Sequence, residues 1–424
     1  MATLVIIHTE SEGGGQLRAV KSIAYYRKSG YKVKLVVISP LGNMSSKKYE
    51  SLGVEVLRVF NSKSLNPPLL KKTISYFKGL LDLNNVAKEI SFELKDKLAN
   101  SKSIVISPTG ECLESAVVAS SIALRCGIPC VSIMQLPPFY GLGLRKRKIL
   151  LSREIARRIY TGYLTKVMPQ HKRILLHLGK TLDNATYELN ERLKKKILRY
   201  FDLLIAVSKS IPYEMNIGWR NIAVLDPGVV LDENDLKLIK SVKNSLRRKN
   251  NIVLFSARAI PEKGIIDALF AFRNISKRKP RCKLAITGIS DYKTKSLVLY
   301  LARELGIQDK VVVMGFLPRH EVLKLKAKSA LHLYPSHEDS VSYSVLESLH
   351  LGTPVIAYDI PAIRFNYVEK DAEGIMTVKE FDIEGLADAA IEVLERPPKV
   401  FPPIFPSWRE IMEEEVELIH GLVR

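Results

Sequence analysis

Two short stretches of the 424-residue chain place residues that could do chemistry. The first, ARAIPEKGIIDALFAF, follows the apolar run Asn251 to Ser256 and sets Arg258 and Lys263 at the start of a helix. Pro261 suits a first helical turn, and Gly264 lets an anion approach the backbone there. Two cations at the positive end of a helix dipole are the combination a departing diphosphate needs. The second stretch, PSHEDSVSYSVLESLHLGTPVIAYD, spans Pro335 to Asp359. Glu338 and Asp339 stand in a loop after the strand-like run Ala330 to Leu333, and Glu347 follows in a helix ended by Gly352 and Pro354. Strand, loop, helix and strand in this order make a βα unit of a parallel sheet, whose ligands bind outside the carboxyl ends of the strands. Either stretch alone also fits a solvated loop ahead of an ordinary helix. Their occurrence together favours a site.

The elements that must position these residues recur along the chain. Short apolar strands are expected at Leu4–His8, Val33–Ile38, Glu55–Val59, Ile104–Ser107, Ile128–Met134 and Leu203–Val207. A second series follows at Asn251–Ser256, Lys283–Thr287, Val311–Met314, Ala330–Leu333, Val355–Tyr358 and Gly374–Val378. Helical stretches separate them, the pattern of an α/β chain with two doubly wound sheets. A chain of this length exceeds one core. The expected division is a first domain over 1–225, a charged linker over 226–250, a second domain over 251–400, and a terminal segment over 401–424. Within the first domain, the loop TESEGGGQ puts Gly14 and Gly15 at a helix start, where backbone can meet a ligand. Gly288 ends a strand of the second domain.

Composition narrows the partners. A formal net charge of +21 calls for a polyanion: nucleic acid, an anionic membrane or phosphorylated substrates. Gly141 to Tyr200 holds sixteen Lys and Arg against four acids, an excess of twelve, over half the total. In Arg145 to Lys166, Leu151, Ile155, Ile159 and Tyr163 recur every four residues among Arg145, Lys146, Arg147, Lys148, Arg153, Arg157 and Arg158. Such a basic amphipathic helix either lies in a membrane interface or packs its apolar stripe on the domain. The basic region has few aromatics, so nucleic acid is the less favoured partner. No apolar run approaches the roughly 20 residues of a membrane span. The amino terminus reads as a strand and not a signal peptide, which points to the cytoplasm, with a peripheral position on the inner membrane face as the alternative. Cys112, Cys126, Cys130 and Cys282 show no metal-binding spacing and read as reduced thiols.

The second stretch resembles the donor-site signature of the group-one, retaining glycosyltransferases, in which two acids eight positions apart precede a Gly-x-Pro-Val turn. Asp339 and Glu347 keep that spacing, and Gly352, Thr353, Pro354 and Val355 supply the turn. The family usually has Glu at the first acid and glycines after it; here Asp339 has Glu338 beside it, and Ser340 and Ser342 replace the glycines. Arg258 and Lys263 resemble the family's donor-phosphate pair, and Gly14 and Gly15 its amino-terminal Gly-Gly loop. Gln135 falls where many members have a sugar-contacting His. An amide there keeps hydrogen bonding and loses proton transfer.

The resemblance implies a GT-B architecture with a cleft between the domains, and a final helix that crosses back to the first domain. It implies a nucleotide-diphosphate sugar donor, with Arg258, Lys263 and Asp339 as catalytic residues. Gly14, Gly15, Gly288, Glu338, Ser340 and Glu347 would bind donor, Glu347 accepting from ribose hydroxyls, and Gln135 would touch sugar or acceptor. No cofactor and no metal are expected, since no Asp-x-Asp occurs. The expected acceptor is lipid-linked or a glycan. Two readings stay open beside it: a transferase-like binding subunit without catalysis, and a basic nucleic-acid-binding protein.

Overall fold

The computed structural model describes residues 2–9, 14–39, 49, 52–61, 72–98, 102–167, 186–245, 249–289 and 291–422. Residues 10–13 of the glycine loop, 62–71 of the serine-rich connection and 168–185 of the basic segment lie outside these, as do the side chains of Tyr160 and Tyr163. The chain divides into two compact units: Met1–Leu142 with His171–Gly228 and Arg409–Arg424, and Gly143–Gln170 with Val229–Trp408.

The first unit is built on seven strands: β1 (Thr3–Thr9), β2 (Lys32–Ser39), β3 (Glu55–Asn61), β4 (Ser103–Ser107), β5 (Cys130–Met134), β6 (Leu203–Ala206) and β7 (Ile222–Val224). Their order is β3-β2-β1-β4-β5-β6-β7, all pairs parallel. Strands covered on both faces read as unbroken apolar runs, and β1 is buried throughout. Strand order reverses between β1 and β4. The final helix, Trp408–His420, belongs to this unit. Its Glu415 is fully buried, receiving the Arg18 guanidinium at 2.5 Å and the Tyr26 hydroxyl. Burial and the adjacent Glu415 carboxylate hold the Tyr26 phenol well above its ordinary range.

The second unit has six strands: β8 (Asn250–Ser256), β9 (Lys283–Thr287), β10 (Val311–Gly315), β11 (Ser329–Tyr334), β12 (Val355–Tyr358) and β13 (Ile375–Val378). Their order is β10-β9-β8-β11-β12-β13, again all parallel. Here the reversal falls between β8 and β11. Sheets wound in both directions from an inner strand leave a crevice at that reversal, above the carboxyl ends.

Two boundaries differ from the sequence reading. The charged stretch taken as a loop-like linker contains a helix, Glu233–Ser245, inside the second unit. Asp232 and Asp235 cap it, each carboxylate accepting the other's backbone N–H at 2.8 and 3.3 Å, and Ile239 and Val242 are buried. The basic segment also divides. Its helix Gly143–Val167 belongs to the second unit and not the first, because its cations pair there: Arg145 and Lys148 reach Glu380 at 2.7 and 2.8 Å, and Arg153 pairs with Glu262. The face it turns inward is Arg145, Ile149, Ser152 and Ala156. Of the expected apolar stripe, Leu151 is 47% exposed while Ile155 and Ile159 are part-buried, and Leu144 outside it is 68% exposed.

Candidate functional site

The residues singled out around Arg258 and Asp339 fall on the two loops that leave β8 and β11, the strands flanking the reversal of the second sheet. After β8 the chain makes the turn Pro261–Lys263 and enters the helix Ile265–Arg278 through Gly264, at φ 75°. A side chain there would meet the Pro335 carbonyl oxygen at 1.8 Å. Only glycine lets the two loops touch. The Glu262 carbonyl accepts the His337 N–H at 2.8 Å, which knits the phosphate-type turn to the acid loop.

Lys263 is held at this junction. Its ammonium donates to the Glu338 carbonyl at 2.6 Å and lies 3.2 Å from the Asp339 carboxylate. Asp339 is buried and also receives the Tyr334 hydroxyl and, at 2.9 Å, the Ser340 N–H. The Ser340 carbonyl in turn accepts from the Asn366 amide at 2.7 Å. Asp339 therefore fixes Lys263, and both are fixed by the scaffold.

Arg258 contrasts with Lys263. It is part-buried on the same loop, yet among the described residues its guanidinium has no hydrogen-bond or ion-pair partner. Gly288, at φ 84°, ends β9 beside this loop; its carbonyl accepts the Ala259 N–H at 3.2 Å, and a Cβ would meet the Ala257 carbonyl at 2.1 Å. Its place here is dictated by backbone packing at the strand ends.

Glu347 lies apart in its contacts. It stands on the helix Tyr343–His350, whose amino terminus is pinned to β8 by the Ser344 hydroxyl on the Ser256 carbonyl at 2.5 Å. Its two carboxylate oxygens receive Lys326 at 2.6 Å and Arg319 at 2.8 Å, and Arg319 also pairs with Asp235 at 2.9 Å. The ribose role expected for Glu347 thus falls on a carboxylate already bound to two cations.

In the first unit, Gly15 and Gln135 come together. A Cβ on Gly15 would stand 3.2 Å from the Gln135 side-chain oxygen, while the Gln135 amide donates to the Pro108 carbonyl at 2.7 Å. The Gln135 N–H donates to Glu111 at 3.0 Å. Burial pushes the Glu111 carboxyl up to about 7, against the opposing pull of that N–H and of Lys194 and Arg18. Gly14 opens the adjacent helix, Gly14–Lys28. These groups cap β1, β4 and β5, around the reversal of the first sheet.

Sequence reasoning missed the residues that brace the second unit's loops: Arg145, Glu262, His337 and Glu380. Glu262 and His337 stand inside the two motif stretches and Arg145 in the basic helix, yet nothing local marks their bracing role, since their partners lie from 43 to 235 positions away. All four cysteines are free thiols. Among the described residues no three His, Cys, Asp or Glu side chains are grouped to hold a metal, and no helix is long and apolar enough to cross a membrane.

Two doubly wound sheets of this kind define the GT-B class. The whole chain superposes on Anabaena HepE in complex with UDP-glucose, with a TM-score of 0.64 at 15% identity over 99% of this chain and 100% of that one. It also superposes on the sucrose-phosphate synthase of Thermosynechococcus elongatus, with a TM-score of 0.62 at 16% identity over 100% and 95%. Residues 237–400 match the family described as glycosyl transferases group 1. Among curated relatives, the alpha-D-kanosaminyltransferase of Streptomyces kanamyceticus is 26% identical over 34% of this chain and 37% of its own length. The alpha-monoglucosyldiacylglycerol synthase of Streptococcus pneumoniae is 27% identical over 37% of this chain and 34% of its own. The chain thus spans about a third to a half of the length of the curated relatives it matches.

Proposed function

We propose that this protein transfers a glycosyl group from a nucleoside diphosphate sugar to a hydroxyl of a lipid-linked or glycan acceptor. The observation that carries this reading is Arg258, a part-buried cation without a partner among the described residues, on the loop that also presents Lys263 at the reversal of the second sheet. A folded protein rarely leaves such a charge unpaired unless a ligand supplies the counter-charge. HepE, of the same fold, binds UDP and UDP-glucose, which supports a nucleotide sugar here.

In the proposed reaction the bond from the sugar's anomeric carbon to the diphosphate oxygen breaks, and its electron pair stays with the diphosphate. The acceptor oxygen forms the new bond and its proton leaves with the departing phosphate. Charge grows on the β-phosphate in the transition state, where Arg258, Lys263 and the amino terminus of the helix Ile265–Arg278 stabilise it. Asp339 acts through Lys263 by holding its ammonium in place. The transfer is read as metal-independent and as retaining the anomeric configuration, following the family resemblance.

Arg258→Ala tests this. Losing one preorganised contact of this type costs roughly 3 kcal/mol, about a hundredfold in turnover. Turnover within a few-fold of wild type at saturating donor would contradict the assignment. A thermal-shift screen across nucleotide sugars identifies the donor.

The acceptor reading rests on the helix Gly143–Val167. Leu144 and Leu151 point outward with Arg147 and Arg158, a face suited to an anionic bilayer. The name of the pneumococcal relative, a diacylglycerol glycolipid synthase, supports a lipid acceptor. The protein should float with anionic vesicles at low salt, and Leu144→Ser with Leu151→Ser should abolish it; flotation indifferent to both would exclude this face.

A further inference from the structure

We infer that Arg145 and His337, to which the sequence motifs give no role, are positioning residues that hold the two donor loops of the second unit in register. The inference rests on the donor reading above. The helix Gly143–Val167 grips both loops. Arg153 pairs with Glu262 of the phosphate turn, and Arg145 donates to the His337 carbonyl of the acid loop at 2.5 Å. The other arm of the Arg145 guanidinium reaches Glu380 at 2.7 Å, where Lys148 adds a second cation at 2.8 Å.

His337 completes the clamp from the other side. Its ring is fully buried between two carboxylates, with Nδ1 2.9 Å from Glu380 and Nε2 3.4 Å from Asp267. Asp267 also receives the Tyr358 hydroxyl at 2.7 Å. Phe381 stacks on the imidazole with centroids 4.4 Å apart, and it does so at φ 71°. An aromatic residue seldom adopts that backbone, and strain of this type persists where surrounding contacts over-determine it. The chain thus spends backbone strain, two cations and two carboxylates on the acid loop. That loop carries the Glu338 carbonyl and Asp339, the two groups that fix Lys263.

Burial opposes charge on His337, but hydrogen bonds to Asp267 and Glu380 outweigh it and raise its pKa. Burial likewise opposes ionisation of Glu380, while His337, Arg145 and Lys148 lower its pKa. The grip of the cationic ring on both carboxylates is therefore complete below the ordinary imidazole range. The grip is lost as pH rises through the raised value.

Calorimetric titration with UDP, GDP, ADP and dTDP, together with donor KM and kcat, tests the inference. Arg145→Ala is expected to weaken binding of the nucleotide that wild type prefers by tenfold or more and to raise donor KM more than it lowers kcat. Arg145→Lys should recover part of the loss. Arg278→Ala, which removes an exposed pair with Asp388, should change nothing. Wild-type affinity should decline as pH rises above the ordinary imidazole range, and His337→Asn should flatten that decline while unfolding at the same denaturant concentration at pH 8. If Arg145→Ala does not fold, Lys148→Ala removes the more exposed of the two cations on Glu380 and should weaken binding about threefold. Folded variants that bind within twofold of wild type, with an unchanged pH profile, would overturn the positioning role and leave the donor reading intact. Wild type that binds none of the nucleotides would overturn both.

Discussion

The two sheets reverse strand order at equivalent places, between β1 and β4 and between β8 and β11, yet the crevices they open carry opposite chemistry. The second is charged and locked: Lys263 on Asp339, His337 between Asp267 and Glu380, and Arg258 left over. At the first, a glycine, the Gln135 amide and the Glu111 carboxyl meet through hydrogen bonds to backbone. Topology supplies the crevice in both cases; side chains decide what enters it. Preorganised cations suit a ligand of fixed negative charge, whereas an amide and a carboxyl poised near neutrality suit an uncharged hydroxyl.

Glycine substitution should separate the two most sharply. At Gly264, alanine meets a backbone carbonyl at 1.8 Å and must adopt φ 75°, so neither side chain nor backbone can yield cheaply. Gly264→Ala is expected to cost about 4 kcal/mol or more, read by chemical denaturation, and to abolish nucleotide binding. A loss under about 1 kcal/mol would show that the two loops are not rigidly joined.

The Lys263–Asp339 pair should show strong coupling. Asp339→Asn leaves a buried ammonium with weaker compensation, so each single change should destabilise the unit and the double change should cost less than their sum. An interaction energy of about 2 kcal/mol in a double-mutant cycle is expected. Additive losses would mean that Asp339 serves the ligand directly and not through Lys263.

Glu111 offers the matching test in the first crevice. Its carboxyl ordinarily titrates near 4.5 and is raised to about 7, so the folded state holds the proton more tightly than the unfolded chain. Its contribution is therefore complete below about pH 4.5 and is lost as pH rises through 7. With its partial exposure, the swing should be on the order of 2 kcal/mol, and Glu111→Gln should remove it. Identical stability profiles for the two proteins between pH 5 and 8 would place the proton elsewhere.

The contrast also accounts for what the sequence made legible. Strands buried on both faces announce themselves as apolar runs, so all but the three-residue β7 were located to within two residues. The placing of Arg258, Lys263 and Asp339 on two adjacent strand-end loops was legible because each crevice loop is short and its motif local. The helix Glu233–Ser245 was hidden because its buried face is only Ile239 and Val242 among charges, and its cap is a pair of aspartates that look equally at home in a loop. Arg145 was read as one of many solvated cations. Nothing near it in sequence shows that its partner Glu380 lies 235 positions away.

The smallest effect is expected at Gly15, and it bears on the comparison through its direction. An added Cβ meets the end of a side chain, the Gln135 oxygen at 3.2 Å, and Gly15 has no left-handed backbone to strain. The amide must still give by a few tenths of an ångström, and its bond to the Pro108 carbonyl resists. Gly15→Ala should therefore cost about 1 kcal/mol, partly offset by the better helix propensity of alanine. The family resemblance puts Gly15 on the donor, whereas the uncharged lining of its crevice favours the acceptor; on the latter reading acceptor KM should rise while nucleotide affinity holds. A loss of nucleotide affinity equal to the rise in acceptor KM would show that Gly15 and Gln135 serve the donor, and the division of labour between the two crevices would fail.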